Sequence, residues 1–600
     1  MTPVGTAERE GQGVTRAWVR ALELTAPLAT RPHRVFPAVI DELAAAHGGA
    51  PALLSEHETL SYQALAARSN RYARWALDQG VAAGDTVCLL MPNRPEYLAA
   101  WLGITRVGGV VALVNTNLAG PALAHAVRLV TPTLVIVDAG LVDALTAALP
   151  ALAREAAVWV HGGHRADHAR LERELERYPG EPLREGERRA PTLEDRALYI
   201  YTSGTTGAPK AAVVSHFRIM QWAHWFAGML GTGPDDRMYN CLPMYHSVGG
   251  VVAPGAVLVG GGSVVVREKF SAARFWDDVT RGECTLFQYI GELCRYLLHA
   301  APSPREAEHR IRMACGNGLR PDVWSAFQRR FRIPRILEFY AATEGNVSLF
   351  NVEGRPGAIG RIPPFLAHRV PTALVRFDVE RGEPAREAGG RCVRCEPGEV
   401  GEAIGRIGTG SAAGVSRFEG YTSREASEGK ILRDVFEPGD AWFRTGDLMR
   451  TDTGGYFYFV DRVGDTFRWK GENVATAEVA EAIGAFPGVR DAAVYGVPVP
   501  GTEGRAGMAA IVADAGLDLM AFRAHLGERL PVYARPLFLR VRPALEVTAT
   551  FKHATRELAR QGYDPEAIAD TLYFDDPERR AFVRLDPPLY ERIRTGRIRL

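Results

Sequence analysis

Tyr199-Ile200-Tyr201-Thr202-Ser203-Gly204-Thr205-Thr206-Gly207-Ala208-Pro209-Lys210 is the stretch on which the reading of the chain depends. Leu198, Tyr199, Ile200 and Tyr201 form an apolar lead-in that predicts a strand. Four hydroxyl side chains follow, on Thr202, Ser203, Thr205 and Thr206, and Lys210 closes the run with a positive charge. Gly204 and Gly207 let the backbone turn tightly and come close to a ligand. Hydroxyl donors, backbone N–H groups and a lysine together suit a polyphosphate. A Walker A loop needs Gly, four residues, then Gly-Lys-Ser/Thr, and this run does not have that spacing. A Ser/Thr/Gly surface loop shares the composition, so other parts of the chain must decide.

On the N-terminal side, residues 35–140 alternate strand and helix signals. Thr59-Leu60-Ser61 leads into a helix carrying Leu65, Ser69, Tyr72 and Ala76 on one face and stopped by Gly80. Val87–Met91, Val110–Val114 and Leu134–Val137 read as short strands, and Pro95 suits a first helical turn. This rhythm predicts parallel sheets covered by helices. Arg165–Arg189 is charge-rich and reads as a solvated connector with some helix. On the C-terminal side, Trp222, Trp225, Phe226 and Met229 fall at helical spacing within His216–Leu230. That face suits a packed helix, the lining of an acyl tunnel, or both. Ser271 is placed to cap a helix containing Phe275 and Val279, and Leu286–Ile290 reads as a strand. From residue 380 to 408 the chain turns rich in Gly, Glu, Arg and Pro, which predicts a small β subdomain. Beyond Gly464 the pattern is α+β, with a helix over Thr476–Ile483, strands over Ala492–Tyr495 and Ala509–Val512, and a helix over Leu519–Leu530. The tail Arg592–Leu600 alternates Arg with apolar residues and reads as an edge strand or exposed tail, or as a binder of anionic lipid or phosphate.

Composition narrows the classes. Hydrophobic residues at 46% and charged residues at 24% are those of a soluble globular protein. A net charge of +1 gives no field favouring nucleic acid. Seven cysteines in 600 residues make no disulfide framework, which fits a reducing cytoplasm. The pair Cys392 and Cys395 lacks the second CxxC of a zinc ribbon, so a structural role is expected. Glu8, Arg9, Glu10, Arg16, Arg20 and Glu23 leave no apolar core for a signal peptide. Tyr97–Val114 carries Arg106 and reads as helix then strand. Val248–Val266 is uncharged and long enough to span a membrane, but its glycines and Pro254 predict buried turns and a short strand instead.

The opening run resembles the phosphate-binding loop of the adenylate-forming superfamily, which includes acyl-CoA synthetases, adenylation domains and luciferases. Four further segments resemble that superfamily's motifs, in its order. Leu337-Glu338-Phe339-Tyr340-Ala341-Ala342-Thr343-Glu344-Gly345-Asn346 resembles Tyr-Gly-x-Thr-Glu, with Ala341 where Gly is usual. The resemblance implies Tyr340 stacking on adenine, Thr343 at the α-phosphate and Glu344 holding Mg²⁺, a hard cation that prefers oxygen. Gly316-Asn317-Gly318 matches the segment packed around adenine. Phe443-Arg444-Thr445-Gly446-Asp447 places Asp447 at the ribose hydroxyls, with Arg462 beside it. Gly464 takes the hinge position, usually Asp or Lys, and Lys470-Gly471-Glu472-Asn473 matches the loop that enters for thioester formation. Glu546-Val547-Thr548-Ala549-Thr550-Phe551-Lys552 puts Lys552 in the place of the adenylation lysine, with Ala549 replacing Gly. Tyr245-His246 matches the segment beside the acyl carboxylate, where a satisfied core histidine is the alternative for His246.

The variants around Trp469, Tyr340 and Tyr533–Arg540 resemble the fatty acid transport protein and very-long-chain acyl-CoA synthetase branch. The implied fold is α/β: a large N-terminal domain of helix-covered sheets plus a β subdomain over residues 1–461, and a small mobile α+β C-terminal domain over 462–600, hinged near 461–464. The implied catalytic residues are Lys552, Thr343, Glu344 and His246. The implied cofactor-binding residues are Thr202, Ser203, Gly204, Thr205, Thr206, Gly207, Lys210, Gly316, Asn317, Gly318, Tyr340, Asp447, Arg462, Lys470, Gly471 and Glu472, with Glu344 as metal ligand. ATP, Mg²⁺ and coenzyme A are the implied cofactors, and a fatty acid the substrate. The expected location is cytoplasmic, with peripheral contact at the inner face of a membrane. A ligase for another bulky carboxylate, such as a sterol side chain or carnitine-like acid, stays open beside the fatty-acid reading, as does a membrane-associated fatty-acid uptake protein. Too few residues follow Lys552 for a peptide-synthetase carrier domain.

Overall fold

The computed structural model of the protein describes residues 4–151, 156–163, 165, 168–187, 190–203, 209–379, 381–408, 416–470, 472–500, 502, 504–547 and 553–598. Two compact units emerge from the internal contacts. One joins Met1–Pro356 with Ile407–Ile431, the other Gly357–Arg406 with Leu432–Leu600.

In the first unit, Pro51–Leu54 (β1) and Thr59–Ser61 (β2) form a hairpin. Thr86–Leu90 (β3), Val110–Leu113 (β4), Leu134–Asp138 (β5), Ala157–His161 (β6) and Ala169–Arg170 (β7) follow, then Arg196–Ser203 (β8) and Pro209–Ser215 (β9). They build a sheet in the order β7-β6-β5-β3-β4-β8-β9, parallel except at β8–β9. Its strands read as continuous apolar runs because helices bury both faces. The Tyr62–Asp78 helix starts where the Ser61 hydroxyl accepts from Ala64 N, and its Leu65, Ser69, Tyr72 and Ala76 are all buried. Pro95–Arg106 is buried along its whole length, with Pro95 in the first turn, where no N–H is needed. The charge-rich connector is tied down rather than loose. Arg74 donates to the carbonyls of Pro179, Glu181 and Pro182 and pairs with Glu187.

A second sheet in the same unit contains Arg237–Asn240 (β10), Ser263–Val266 (β11), Leu286–Ile290 (β12), Met313–Asn317 (β13), Ile336–Ala341 (β14) and Ser348–Asn351 (β15). Its order is β15-β14-β13-β12-β10-β11-β1-β2, parallel from β14 to β1. The expected turns over Val248–Val266 are helical instead: a π-helical turn at Val248–Val252 runs into an α-helix at Ala253–Leu258 before β11. The glycines serve close packing there. A Cβ on Gly250 would lie 2.0 Å from the Met244 carbonyl, and one on Gly249 2.4 Å from that of Pro243. Pro254 again sits in a first turn. Among the described residues, no helix is long and apolar enough to cross a membrane. Ser271 does not cap the Phe275–Arg281 helix; the N-cap is Arg274, whose N–H goes to the Ser271 carbonyl. Asp277 and Asp278 supply negative charge at that end.

The second unit begins with Gly360–Arg361 (β16), Thr372–Asp378 (β17), Glu383–Pro384 (β18) and Val400–Arg406 (β19). After Ile431–Arg433 (β20) come Ala441–Thr451 (β21) and Tyr456–Arg462 (β22), in the antiparallel order β18-β17-β19-β21-β22-β16. Cys392 lies buried in the small core of this part beside Val375, Ile404 and Trp442. Phe467–Trp469 (β23) and Glu472–Val474 (β24) make a hairpin. Val489–Pro498 (β25), Arg505–Ala513 (β26), Phe538–Val541 (β27), Thr571–Asp576 (β28) and Ala581–Arg584 (β29) form the last sheet in chain order, with helices Thr476–Gly484 and Leu519–Arg529 close to the expected bounds. The tail is not an edge strand. Pro587–Arg594 is a helix capped by the Asp586 carboxylate, and Ile593 is buried. Gly596, at φ +70°, ends it: Arg597 N bonds to Arg592 O and Gly596 N to Ile593 O. The Arg/Ile alternation was a helix end; among its described residues, Ile593 and Ile598 pack on the core.

Candidate active site

In open parallel sheets, ligands gather outside the carboxyl ends of the strands. In the first unit, three such ends carry the candidate residues: Thr202 on β8, Asn317 on β13, and Thr343–Glu344 just after β14. The apolar lead-in forms β8 as expected, and the chain returns antiparallel as β9, which sets Thr202 opposite Lys210. Gly204, Thr205, Thr206 and Gly207, and the side chain of Ser203, lie outside the described residues.

One residue the sequence reading passed over meets two that it named. Tyr421 donates its hydroxyl to Glu344 Oε1 at 2.6 Å. Lys210 Nζ stands 5.5 Å from its ring centroid. Burial first, and the Glu344 carboxylate second, push the phenol's pKa well above its ordinary value, so the proton stays on Tyr421. Tyr421 reaches this place by pairing with Ala212 on β9, with Val213 N on Gly420 O and Thr422 N on Ala211 O.

Arg218 ties the same parts together from beneath. It is 5% exposed and donates to the carbonyls of Thr343 (2.9 Å), Gly345 (2.7 Å) and Arg417 (3.0 Å). Its Nε lies 3.5 Å from Glu419, which also accepts from Ser215 N and Ser215 Oγ. The Ser215 hydroxyl accepts from Arg218 N and starts the His216–Leu230 helix. Along that helix Trp225 and Phe226 pack on Trp18, Phe339 and Phe350 at centroid distances of 4.8–6.0 Å, so this face is a packed one.

Thr343 Oγ1 is 3.1 Å from Ser247 Oγ, which brings the His246 segment to the motif after β14. That segment is pinned by Asn93, whose amide donates to Leu242 O and whose carbonyl accepts from Met244 N. The Tyr245 and His246 rings are 4.6 Å apart. Burial raises Tyr245 to about 12, so it is a phenol throughout the physiological range, and it accepts from Asn117.

The Gly316–Gly318 segment and Tyr340 sit on adjacent strands, with Gly316 opposite Glu338. Glu338 is 1% exposed and accepts from Tyr289 OH and Leu319 N, so it shapes the Gly316–Leu319 turn. Burial raises its pKa to about 8. Glycine is required at both ends of the turn: Gly318 has φ +76°, and a Cβ on Gly316 would lie 2.3 Å from the Tyr289 carbonyl.

In the second unit, Asp447 and Arg462 are cross-strand partners on β21 and β22, with Arg462 Nε 3.6 Å from Asp447 Oδ1. Glu402, wholly buried, holds the motif by a two-pronged pair with Arg444 and a bond from Gly446 N. Asp461 accepts from Arg462 N, Thr466 Oγ1, Thr476 N and Thr476 Oγ1, and burial lifts it to about 6. Gly464 follows in a turn at φ +95°. Lys470, at φ +52°, turns the β23–β24 hairpin, and Glu472 beyond it is exposed. Gly471 and Lys552 lie outside the described residues; Val547 and His553 pair on either side of the Lys552 segment.

The donors fit a hard divalent cation. Among the described residues no cluster of three metal-ligating side chains occurs. Mg²⁺, however, needs only one or two carboxylates when substrate phosphates and water complete its shell. Glu344, 8% exposed and beside the Thr343 hydroxyl, is such a carboxylate.

The chain is similar to known proteins in sequence and in fold. The chain is 39% identical over 574 residues to long-chain fatty acid transport protein 2 of Rattus norvegicus, covering 94% of this chain and 91% of the relative. It is 41% identical over 537 residues to long-chain fatty acid transport protein 1 of Mus musculus, covering 88% and 82%. Among solved structures, ATP-bound MatB from Rhodopseudomonas palustris superposes with a TM-score of 0.74 at 24% identity, over 87% of this chain and 98% of that one. The anthranilate CoA ligase AuaEII in complex with anthranoyl-AMP gives 0.73 at 20%, over 87% and 97%. Both share the fold. Residues 478–552 match the AMP-binding enzyme C-terminal domain and residues 40–401 the AMP-binding enzyme family itself, and the chain belongs to that family.

Proposed function

We propose that the protein is a long- or very-long-chain fatty acyl-CoA synthetase that forms acyl-AMP from ATP and a fatty acid, then passes the acyl group to coenzyme A. The observation that carries the reading is the meeting of Glu344 and Lys210 at Tyr421 in one unit, with Thr202 opposite Lys210 and Thr343, next to Glu344, at Ser247. The names of the relatives support the acyl class, and the titles of the solved neighbours support the CoA-ligase chemistry.

A carboxylate is a poor acyl donor because oxide is its leaving group. In the first step its oxygen attacks the α-phosphorus of ATP, the bond to the β-phosphate oxygen breaks, and pyrophosphate leaves. The residues position the groups and meet the growing charge. Lys210 and the hydroxyls of the 202–206 run hold the outer phosphates. Thr343 meets the α-phosphate and Tyr340 the purine beside Gly316, Asn317 and Gly318. Glu344 would hold Mg²⁺, which when bound would supply charge neutralisation at the phosphates. Asp447 and Arg462 take the ribose hydroxyls. Lys552 lies at the acyl carboxylate; losing one such contact costs about 3–4 kcal/mol, or about 10²–10³ in rate. In the second step residues 462–600 turn about Gly464, the Lys470–Glu472 hairpin enters in place of Lys552, and the CoA thiolate attacks the acyl carbonyl with AMP leaving. His246 lies at the acyl carboxylate. The protein works in the cytoplasm, at the inner face of a membrane.

ATP–pyrophosphate exchange across fatty acids of increasing chain length tests the reading, with a sterol-side-chain acid and a carnitine-like acid as controls. Exchange and acyl-CoA formation that peak with long-chain acids are expected. Exchange with a control acid alone overturns the fatty-acid assignment, and no exchange with any acid overturns the chemistry.

A further inference from the structure

We propose that Tyr421 is a positioning residue that fixes the carboxylate of Glu344, the proposed metal ligand, through its hydroxyl hydrogen bond. The proposal deepens the ATP–metal reading of this site and rests on it. Three observations carry it. First, the Tyr421 hydroxyl reaches a group from a distant part of the chain, donating to Glu344 Oε1 at 2.6 Å. Second, its backbone cannot drift: Tyr421 pairs with Ala212, Tyr421 N donates to Ser427 Oγ at 2.8 Å, and Gly420 and Thr422 bond to β9 on either side. Third, its ring is 8% exposed and faces Lys210, so the side chain has one orientation available.

The chemistry follows. A glutamate that serves as a metal ligand must present one oxygen in a fixed direction, and its rotamers work against that. Holding Oε1 by a phenol fixes the carboxylate plane. Groups that orient metal ligands in this manner usually change metal affinity about 10–100-fold when removed.

The test is a double-mutant cycle read by Mn²⁺ binding, followed by electron paramagnetic resonance with a non-hydrolysable ATP analogue bound. Tyr421→Phe keeps the ring under Lys210 and deletes only the hydroxyl; Glu344→Gln deletes the ligand charge. Tyr421→Phe is expected to weaken Mn²⁺ binding about 10–100-fold in the wild-type background and to change nothing further in Glu344→Gln. If wild type binds Mn²⁺–nucleotide and Tyr421→Phe binds it equally well, the proposal is refuted. Equal weakening in both backgrounds also refutes it, because Tyr421 then acts other than through Glu344. If wild type itself binds no Mn²⁺–nucleotide, the nucleotide-site reading has failed and the positioning role with it. Should Tyr421→Phe melt early, binding is read well below its melting point, and Mn²⁺–nucleotide binding equal to wild type there refutes the proposal.

Discussion

Replacing Arg218 by methionine keeps the aliphatic stem and removes the guanidinium. In the folded protein this leaves the carbonyls of Thr343, Gly345 and Arg417 without that donor, and it takes away the cation beside Glu419, a carboxylate 11% exposed. Breaking a buried pair from one side costs about 3–5 kcal/mol, because the remaining charge stays desolvated. Some of that is recovered because Ser215 still donates twice to Glu419. The lower end, about 3 kcal/mol, is the expected loss, and at about 2 °C per kcal/mol for a unit of this size it lowers the melting point by roughly 6 °C. The loss is local in origin. Amide exchange should accelerate in residues 416–422 and 343–346 before it does in β3 or β4, and ATP binding should weaken because Glu344 and Tyr421 sit on the two segments released. Arg218→Lys keeps the charge but not the fork, so it should fall between the two. Thermal melting with hydrogen–deuterium exchange checks this. A methionine variant that melts within 1 °C of wild type (well under ~1 kcal/mol), with unchanged exchange at 416–422, refutes the reasoning that Arg218 clamps these segments.

Three further outcomes are expected. Gly316→Ala puts a methyl 2.3 Å from the Tyr289 carbonyl and 2.5 Å from its ring; the overpacking should cost about 1–3 kcal/mol in urea denaturation and raise the KM for ATP more than that for the acid. Glu338 has a folded pKa raised to about 8, so its contribution to stability is full at acid pH and is lost as pH rises from the ordinary glutamate range through 8. The urea midpoint of wild type should therefore fall between pH 5 and 8 more steeply than that of Glu338→Gln, and parallel slopes would count against a buried, raised carboxyl. Ile593→Ala should cost about 2–5 kcal/mol in denaturant midpoint, because the side chain is 1% exposed, while Arg592→Ala and Arg594→Ala stay within about 0.5 kcal/mol; equal small effects would mean the terminal helix does not pack.

Much of the fold was legible in the chain because its signals are local. The βαβ rhythm of residues 35–140, the helix His216–Leu230 and the helix from Thr476 can each be read from a window of a dozen residues, where side-chain period and caps act. The motif strings were legible for a related reason. A loop that wraps phosphate needs its glycines and hydroxyls at fixed spacing, so chemistry written in one turn appears as a word in the sequence. Within Val248–Val266 the short strand is β11, but Val248–Leu258 was misread as turns because glycines that permit close helix packing look, in one dimension, like glycines that permit turns. The tail was misread because a period of two over four residues does not separate a strand from the last turn of a helix.

The sequence by itself determined the family, the order of the motifs and the residue types within them. Tertiary structure alone decided which residues hold them in place. Arg218 meets Thr343 across 125 residues, Ser215 meets Glu419 across 204, and Tyr421 meets Glu344 across 77. Such partners have no periodicity and no turn chemistry in common. A buried charge or hydroxyl takes whichever donor the folded chain brings within about 3 Å, and that is settled by the packing of whole strands.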